Sequence, residues 1–474
     1  MSIRSLISHL IANERAITVA ANQGIDMDVS QLRHYIDDRP EQGVFRVHRA
    51  VFSDPELFEL EQRYIFERTW QFLALDSEIA RPNDFVTAWI GRTPVLVTRD
   101  PQGEVRAFAN VCRHKGSVLC REERGNAKYH VCAYHGWAYD TSGRNVYIKD
   151  GKEGCYAAAF DAENHDLLPI ARVGRYKGLV FGSLSPAVPA LDQFLGELRF
   201  FIDLAMEQSP QGMEFVPGRA AYSYAGNWKL QMDNGVDFYH LTSTHKSFLA
   251  VQERRRGGVE GNQEARQFDW SKRLSQDGGM FQFRHGHTVG WLNLAEVEKR
   301  PIYPRIDEIR ERVGDLRADW MLKLRNLVVF PNIQIADSTS LILRTFRPLA
   351  ADRTEMQVRC LAPIGEPPEQ RAWRLRQFED FFNASGFATP DDTVVYEDCQ
   401  AGYGAQPLEW LQGYNRGMAT IEPGASPLAR SLGIEPVSSL QGSFYVQNEA
   451  LFHPMYREWA RLIGCGLSGE GAYQ

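Results

Sequence analysis

No stretch of 18 or more apolar residues occurs in the 474-residue chain, which excludes an α-helical membrane span. A basic stripe is missing as well. Net charge is −7, and the longest basic run is Arg254-Arg255-Arg256 with Lys246 nearby. Three adjacent arginines read as a solvated or interface loop, so no nucleic-acid partner is expected. There is no Gly-rich dinucleotide fingerprint. Cysteine is scarce: seven residues, an odd number, spread along a long chain. That excludes a disulfide framework and points to a reducing compartment, most simply the cytoplasm. Repeats, low-complexity tracts and Pro/Gly/Ser linkers are also missing. Residues 1–21 carry Arg4, Glu14 and Arg15 in place of an uninterrupted apolar run. They read as an amphipathic helix rather than a secretory leader.

What remains is an ordinary globular composition, 43% hydrophobic and 24% charged. The length allows two to four domains, or one large domain with an inserted module. Residues 54–69 read as a helix, with Asp54 as cap and Pro55 in the first turn. From Trp70 the texture becomes β-rich. Short strands are expected at 85–90, 94–99, 105–109, 136–140 and 178–182, separated by Gly and Asp-Pro turns. Beyond Pro189 the pattern is mixed. A helix is expected over 191–207, a strand over 215–225 and a helix over 228–239. A hairpin with arms 326–335 and 340–346 follows, then a strand over 356–362 and a helix over 367–383. The fold expected is α+β: an antiparallel β module over 70–180, inserted between a helical N-terminal part (1–69) and a larger catalytic part (181–474) with its own antiparallel sheet.

Within the β module stand Cys112-Arg113-His114 and, after a gap of 17 residues, Cys132-Ala133-Tyr134-His135. Two thiolates and two imidazoles hold a [2Fe–2S] cluster of the Rieske type, with the cysteines on one iron and the histidines on the other. Structural zinc also uses two Cys and two His. Zinc fingers, however, group Cys with Cys and His with His, whereas here each loop supplies one of each. Gly116 and Gly136 follow the ligand pairs and would let backbone N–H groups approach the sulfides. Tyr134 and Trp137 would shield the cluster. Cys120 is the one rival thiol within the segment.

A second cluster is Asp237-Phe238-Tyr239-His240 with His245. It suggests a mononuclear iron of the two-His-one-carboxylate kind. Five steps along a regular helix turn through roughly 140° net, so the helix must end or distort between His240 and His245. Asp237, three before His240, is placed to bond the back of that imidazole. The third ligand should be a distant carboxylate. Asp391-Asp392 is the best candidate, although Asp-Asp after Pro390 equally suits a helix cap. His285 and His287 form a weaker rival pair.

At these residues the chain resembles the large (α) subunit of Rieske non-haem iron aromatic-ring-hydroxylating dioxygenases, over about residues 43–416. The resemblance includes Gly226-Asn-Trp-Lys229 and the run from Asp380 through Asp392 to Cys399-Gln400-Ala-Gly402. Within that family it is most similar to the benzoate, toluate and anthranilate branch. The resemblance implies that Cys112, His114, Cys132 and His135 hold the cluster, and that His240, His245 and Asp392 bind Fe(II). In the family pattern the ligand aspartate precedes a Gln by eight positions and a Gly by ten, which Asp392 meets with Gln400 and Gly402. It further implies that Asp237 links His240 to His135 of the partner subunit. The implied assembly is α3, usually with three small β subunits as α3β3. Electrons would come from NADH through a separate reductase or ferredoxin. The chain departs from the branch at Lys246, where an aromatic is usual, and at Phe238, where glycine is usual.

The reading is thus an oxygenase that adds O2 to an aromatic carboxylate, giving a cis-diol or catechol. Met232, Val236, Phe238, Leu241, Ile333, Ile335 and Leu343 are the expected pocket wall. A substrate carboxylate would want an Arg or Lys, and the sequence does not choose which. The alternatives are a Rieske monooxygenase, of the salicylate-hydroxylase or demethylase type, and an electron carrier or zinc protein. The long stretch after the cluster module argues against the last.

Overall fold

The computed structural model describes residues 32, 34–151, 155–257, 277–442 and 448–473. The helix expected over residues 1–21 lies outside them. Asp54 accepts from the backbone N–H groups of Glu56 and Leu57 and so starts the helix Pro55–Glu61. A π-turn over Gln62–Phe66 follows it. Leu57, Leu60, Ile65 and Phe66 are buried against the C-terminal helix His453–Ser468. Glu61 is the staple. Its carboxylate accepts from Trp228 Nε1 (2.7 Å), Lys229 Nζ (2.5 Å) and Trp459 Nε1 (2.6 Å). Segments on both sides of the β module therefore close on one buried carboxylate, which makes the module an insertion.

The module holds three antiparallel sheets among the described residues. Asp84–Ile90 pairs with Thr93–Arg99 and Arg124–Asn126, and Val105–Ala109 extends the sheet. Ala138–Asp140 lies between Tyr129–Val131 and Asn145–Tyr147. Leu179–Ser183 lies between Arg172–Tyr176 and Gln71–Leu75. The strand expected at 136–140 starts late because Gly136 takes a left-handed turn at φ +72°.

The catalytic part is built on a ten-stranded antiparallel sheet. Its centre runs Arg353–Pro363, Leu341–Ala350, Ile333–Asp337, Leu324–Val329, Thr288–Leu292 and Gly278–Gln282. Three expectations are corrected here. The arm expected over 326–335 is two strands, split where Pro331 interrupts the ladder because it has no N–H to donate. The strand expected over 215–225 is Met213–Phe215 and Ala220–Tyr224, parted by Pro217-Gly218; both pair with Arg353–Pro363. The helix expected over 228–239 stops at Asn234.

Alternation sorts the sheet's side chains onto two faces. Leu327, Ile333, Ile335, Leu341, Leu343 and Leu361 face a core with Phe194, Phe201, Trp320 and the module's Phe72 and Phe181. The even-numbered positions Ala336, Ile342, Val358 and Cys360 face Leu241, Phe248, Phe378, Phe381 and Phe382. The second face carries the site.

Candidate metal centres

Two turns of common design present the Cys/His quartet. In each, the glycine four residues past the cysteine donates its N–H to the cysteine carbonyl at 2.9 Å. The cysteine N–H in turn donates to the carbonyl five residues on, Ser117 or Trp137, at 2.8 Å. Gly116 and Gly136 sit at φ +70° and +72°, where a Cβ would be strained. Cys112 and Cys132 are each 2% exposed. The rings of His114 and His135 approach to 4.4 Å, and buried Trp137 stacks on His114 at 5.0 Å. Tyr134 is 63% exposed, and its ring lies 3.8 Å from that of His135. Cys120 is held aside, its backbone exchanging two hydrogen bonds with the Asn110 amide.

The donor set fits an iron–sulfur cluster. His114 Nδ1 is buried without a hydrogen-bond partner, as a nitrogen reserved for metal would be. A single zinc would draw four ligand atoms to within about 4 Å of one another, given Zn–N and Zn–S bonds near 2.0–2.3 Å. Among the described residues such convergence is found for His240, His245 and Asp392, not for the quartet. Each loop brings one thiolate and one imidazole, the donor set that two bridged irons share. Tyr139 touches the sulfur side. Its hydroxyl accepts from Arg113 N–H at 3.1 Å and lies 3.4 Å from Cys112 Sγ, to which it would donate when that sulfur is a thiolate. Burial, then Cys112, raises the Tyr139 pKa.

The second group forms where the Trp228–Asn234 helix ends. A one-turn helix, Leu241–Thr244, carries His240 at its start and His245 at its end. His245 leaves helical geometry (φ −96°, ψ 36°), which resolves the angular conflict that spacing implied. The two Nε2 atoms lie 3.1 Å apart. Asp392 Oδ1 is 3.2 Å from His245 Nε2 and 3.6 Å from His240 Nε2. It lies just past the first turn of Ala388–Gly402, inside the helix and not at its cap. The outward nitrogens are also held. Asp237 Oδ2 lies 3.1 Å from His240 Nδ1, reached from a turn rather than along a helix face. Asp391 Oδ2 lies 3.4 Å from His245 Nδ1 and accepts from Ser247 Oγ. The Asp-Asp pair thus splits its work: Asp392 joins the convergent group and Asp391 orients an imidazole. Burial lowers the His240 pKa, but the Asp237 bond and the charges of Asp392 and Asp237 outweigh it, for a net rise. Burial also works against ionised Asp392. The hydrogen bond from His245 and the nearby charges prevail, so its pKa falls and it stays the anion a metal ligand must be. His285 and His287 are elsewhere: His287 bonds Phe194 O and Phe330 N, and His285 faces Glu458.

The family described as the ring hydroxylating α subunit (catalytic domain) matches residues 215–464, and the Rieske [2Fe-2S] domain matches residues 69–157. The chain belongs to the ring-hydroxylating α-subunit family. It is 38% identical to the α subunit of toluate 1,2-dioxygenase from Pseudomonas putida, covering 86% of this chain and 90% of that one. It is 39% identical to the large subunit of anthranilate 1,2-dioxygenase from Acinetobacter baylyi, covering 91% and 92%. Naphthalene 1,2-dioxygenase from Rhodococcus sp., solved with indole bound, superposes with a TM-score of 0.76 at 27% identity, over 89% of this chain and 94% of that one. The chain is therefore an oxidoreductase of the Rieske oxygenase class, with a Rieske domain and a non-haem iron catalytic domain.

In this α subunit a small cavity of about 60 Å³ opens beside His240, His245 and Asp392. Phe238 and Leu241 line it as expected; Met232, Val236, Ile333, Ile335 and Leu343 do not. The three sheet residues point through the opposite face, because a one-residue error in register moves a side chain across the sheet. Met232 and Val236 pack toward the C-terminal helix instead. The sequence reading missed Asn234, whose amide reaches His240 Nε2 (3.2 Å) and donates to Asp392 (3.1 Å). It also left Arg344 unassigned, although an arginine amid Leu341-Ile-Leu-Arg-Thr-Phe346 was a visible irregularity. Lys246 is exposed and outside the cavity, so of the two departures from the branch only Phe238 bears on it. A Cβ on Gly290 would lie 2.8 Å from the Phe238 ring; the ring fits because that strand residue is glycine.

Proposed function

We propose that this chain is the terminal oxygenase subunit of a multicomponent dioxygenase acting on an aromatic carboxylate of the benzoate or anthranilate class. The observation that carries the reading is the convergence of His240, His245 and Asp392 in one wall of a cavity that Phe238, Leu241, Phe381 and Phe382 also line. The named activities of the toluate and anthranilate relatives support the substrate class. Fe(II) at this triad, fed by one electron from the cluster, would supply the oxygen chemistry. Cys112, Cys132, His114 and His135 would hold that cluster. Residues 70–180 are taken as the cluster domain, with 1–69 and 181–474 forming the catalytic body.

The chain's own groups have defined tasks. Asp237 and Asp391 fix the tautomer and plane of the two imidazoles. Phe238, Leu241, Phe381 and Phe382 hold an aromatic ring and exclude water. Asp237 (side chain 23% exposed) and His240 (20%) reach the surface, where Asp237 would meet His135 of the partner subunit in an α3 or α3β3 assembly. A reductase or ferredoxin would deliver electrons from NADH. Reduced cysteines suit the cytoplasm: all seven are free. Among the described residues no helix is long and apolar enough to cross a membrane.

The test is aerobic turnover with a reductase, NADH and a panel of aromatic acids under 18O2. The expected product is a cis-diol or catechol with two labelled oxygen atoms. A single labelled atom would move the enzyme to the monooxygenases, and product from neutral arenes alone would remove the acid.

A further inference from the structure

We propose that Arg344 is the anchor for the substrate carboxylate; this rests on the aromatic-acid reading above. Arg344 stands on the Leu341–Ala350 strand opposite Gln334 and Val358, on the sheet face that carries Ala336 and Ile342 toward the triad. It lines the same cavity as His240, His245 and Asp392, yet the residue is only 5% exposed.

A buried guanidinium normally has an anion beside it. The other buried arginines obey that rule. Arg300 and Arg325 share Asp337, and Arg374 grips Glu366. Arg344 does not. Among the described residues no carboxylate lies within ion-pair distance of it, and its Nε is buried without a hydrogen-bond partner. Asp392 is near enough for its pKa to be lowered by the arginine, but its oxygen is turned to His245 and Asn234. The contact that holds Arg344 is the Phe382 ring, 5.0 Å from the guanidinium carbon. Phe382 itself lines the cavity. The charge is therefore oriented by a ring and left open on the cavity side.

A buried cation left open on a cavity side that aromatic rings also line is a site for an anion. A guanidinium fork matches a carboxylate by two parallel hydrogen bonds. The other lining groups select what the carboxylate is attached to. Phe238, Leu241, Phe381 and Phe382 suit a flat apolar ring. Asn326 adds one further polar point: its Oδ1 is buried, unpartnered and part of the lining. Pinning the carboxylate at Arg344 fixes which ring edge faces the triad, so Arg344 sets regiochemistry as well as acid selectivity.

The test compares binding of radiolabelled benzoate and its neutral isostere benzamide to the holoenzyme by equilibrium dialysis. It uses wild type, Arg344→Gln and Arg344→Lys, with cluster absorption and iron content checked in each. Arg344→Gln should weaken benzoate at least about 30-fold, as loss of one partner of a buried charge pair does, and leave benzamide within about threefold. Arg344→Lys, a charge without the fork, should recover part of the benzoate affinity; if Arg344→Gln does not fold, it carries the comparison. Equal weakening of both ligands, or benzoate affinity that survives Arg344→Gln, would overturn the anchor and leave the proposed function standing. A wild type that binds neutral arenes but no aromatic acid would overturn both.

Discussion

Single hydrogen bonds decide much at the residue scale. The Tyr139 hydroxyl, held by Arg113 N–H, lies 3.4 Å from Cys112 Sγ. Hydrogen bonds to sulfur stabilise the reduced cluster. Tyr139→Phe should therefore lower the cluster's midpoint potential. The shift should be about 20–60 mV, the electrical equivalent of a bond worth about 0.5–1.5 kcal/mol, measured by redox titration of the holoenzyme. His287 gives a second, independent prediction. Its Nε2 donates to Phe194 O and its Nδ1 accepts from Phe330 N–H, so the neutral ring is specified at both nitrogens. Burial pushes its pKa down to about 3 from an ordinary 6.5. Between those values the unfolded chain holds the proton and the folded chain does not. Stability from this group is thus complete above pH 6.5 and declines as pH falls toward 3, by about 1.4 kcal/mol per unit. In His287→Gln the acid-side slope of unfolding free energy against pH should be shallower by that amount, in denaturant titrations from pH 7 to 5.

Among the elements, the site depends on where one helix stops. Trp228–Asn234 ends because Gln334, reaching from the sheet, donates to the carbonyls of Gln231 and Met232. Gly235 makes room for it: a Cβ there would lie 1.8 Å from Gln334 Nε2. Gly235→Ala should displace that amide and cost about 1–3 kcal/mol. It should also loosen Asn234 beside the triad, lowering iron occupancy more than cluster occupancy. Little of this was legible in the sequence. Periodicity runs on through residue 239, and the stop is imposed by a residue a hundred positions away. The ligand loops were legible, because Cys-x-His and Cys-x-x-His with trailing glycines carry their chemistry in a few adjacent residues. The His240 and His245 conflict was visible as an angle, but its relief was not: a helical turn spans Leu241–Thr244, where a break was expected, and the change of direction comes at His245. The pocket wall was not, since an apolar run such as Ile333-Gln-Ile-Ala-Asp337 is buried on both faces. In such a strand, composition does not tell which face meets the cavity.

For the whole molecule, the electron carrier is inserted into the body that holds the oxygenase site. Glu61 closes that body behind the insertion by binding Trp228, Lys229 and Trp459. The insertion itself could be read from the sequence, as a β-rich texture without linkers at either end. The staple could not, because its partners are 167, 168 and 398 residues distant. The central claim is that one chain holds two separate metal centres, a cluster on Cys112, His114, Cys132 and His135 and a lone iron on His240, His245 and Asp392. The most direct measurement is iron and acid-labile sulfide per chain, in wild type and in Asp392→Ala. The account predicts three irons and two sulfides in wild type. The variant should hold two irons and two sulfides, with its visible cluster absorption intact. Three irons retained in Asp392→Ala, or zinc without sulfide in wild type, would contradict it.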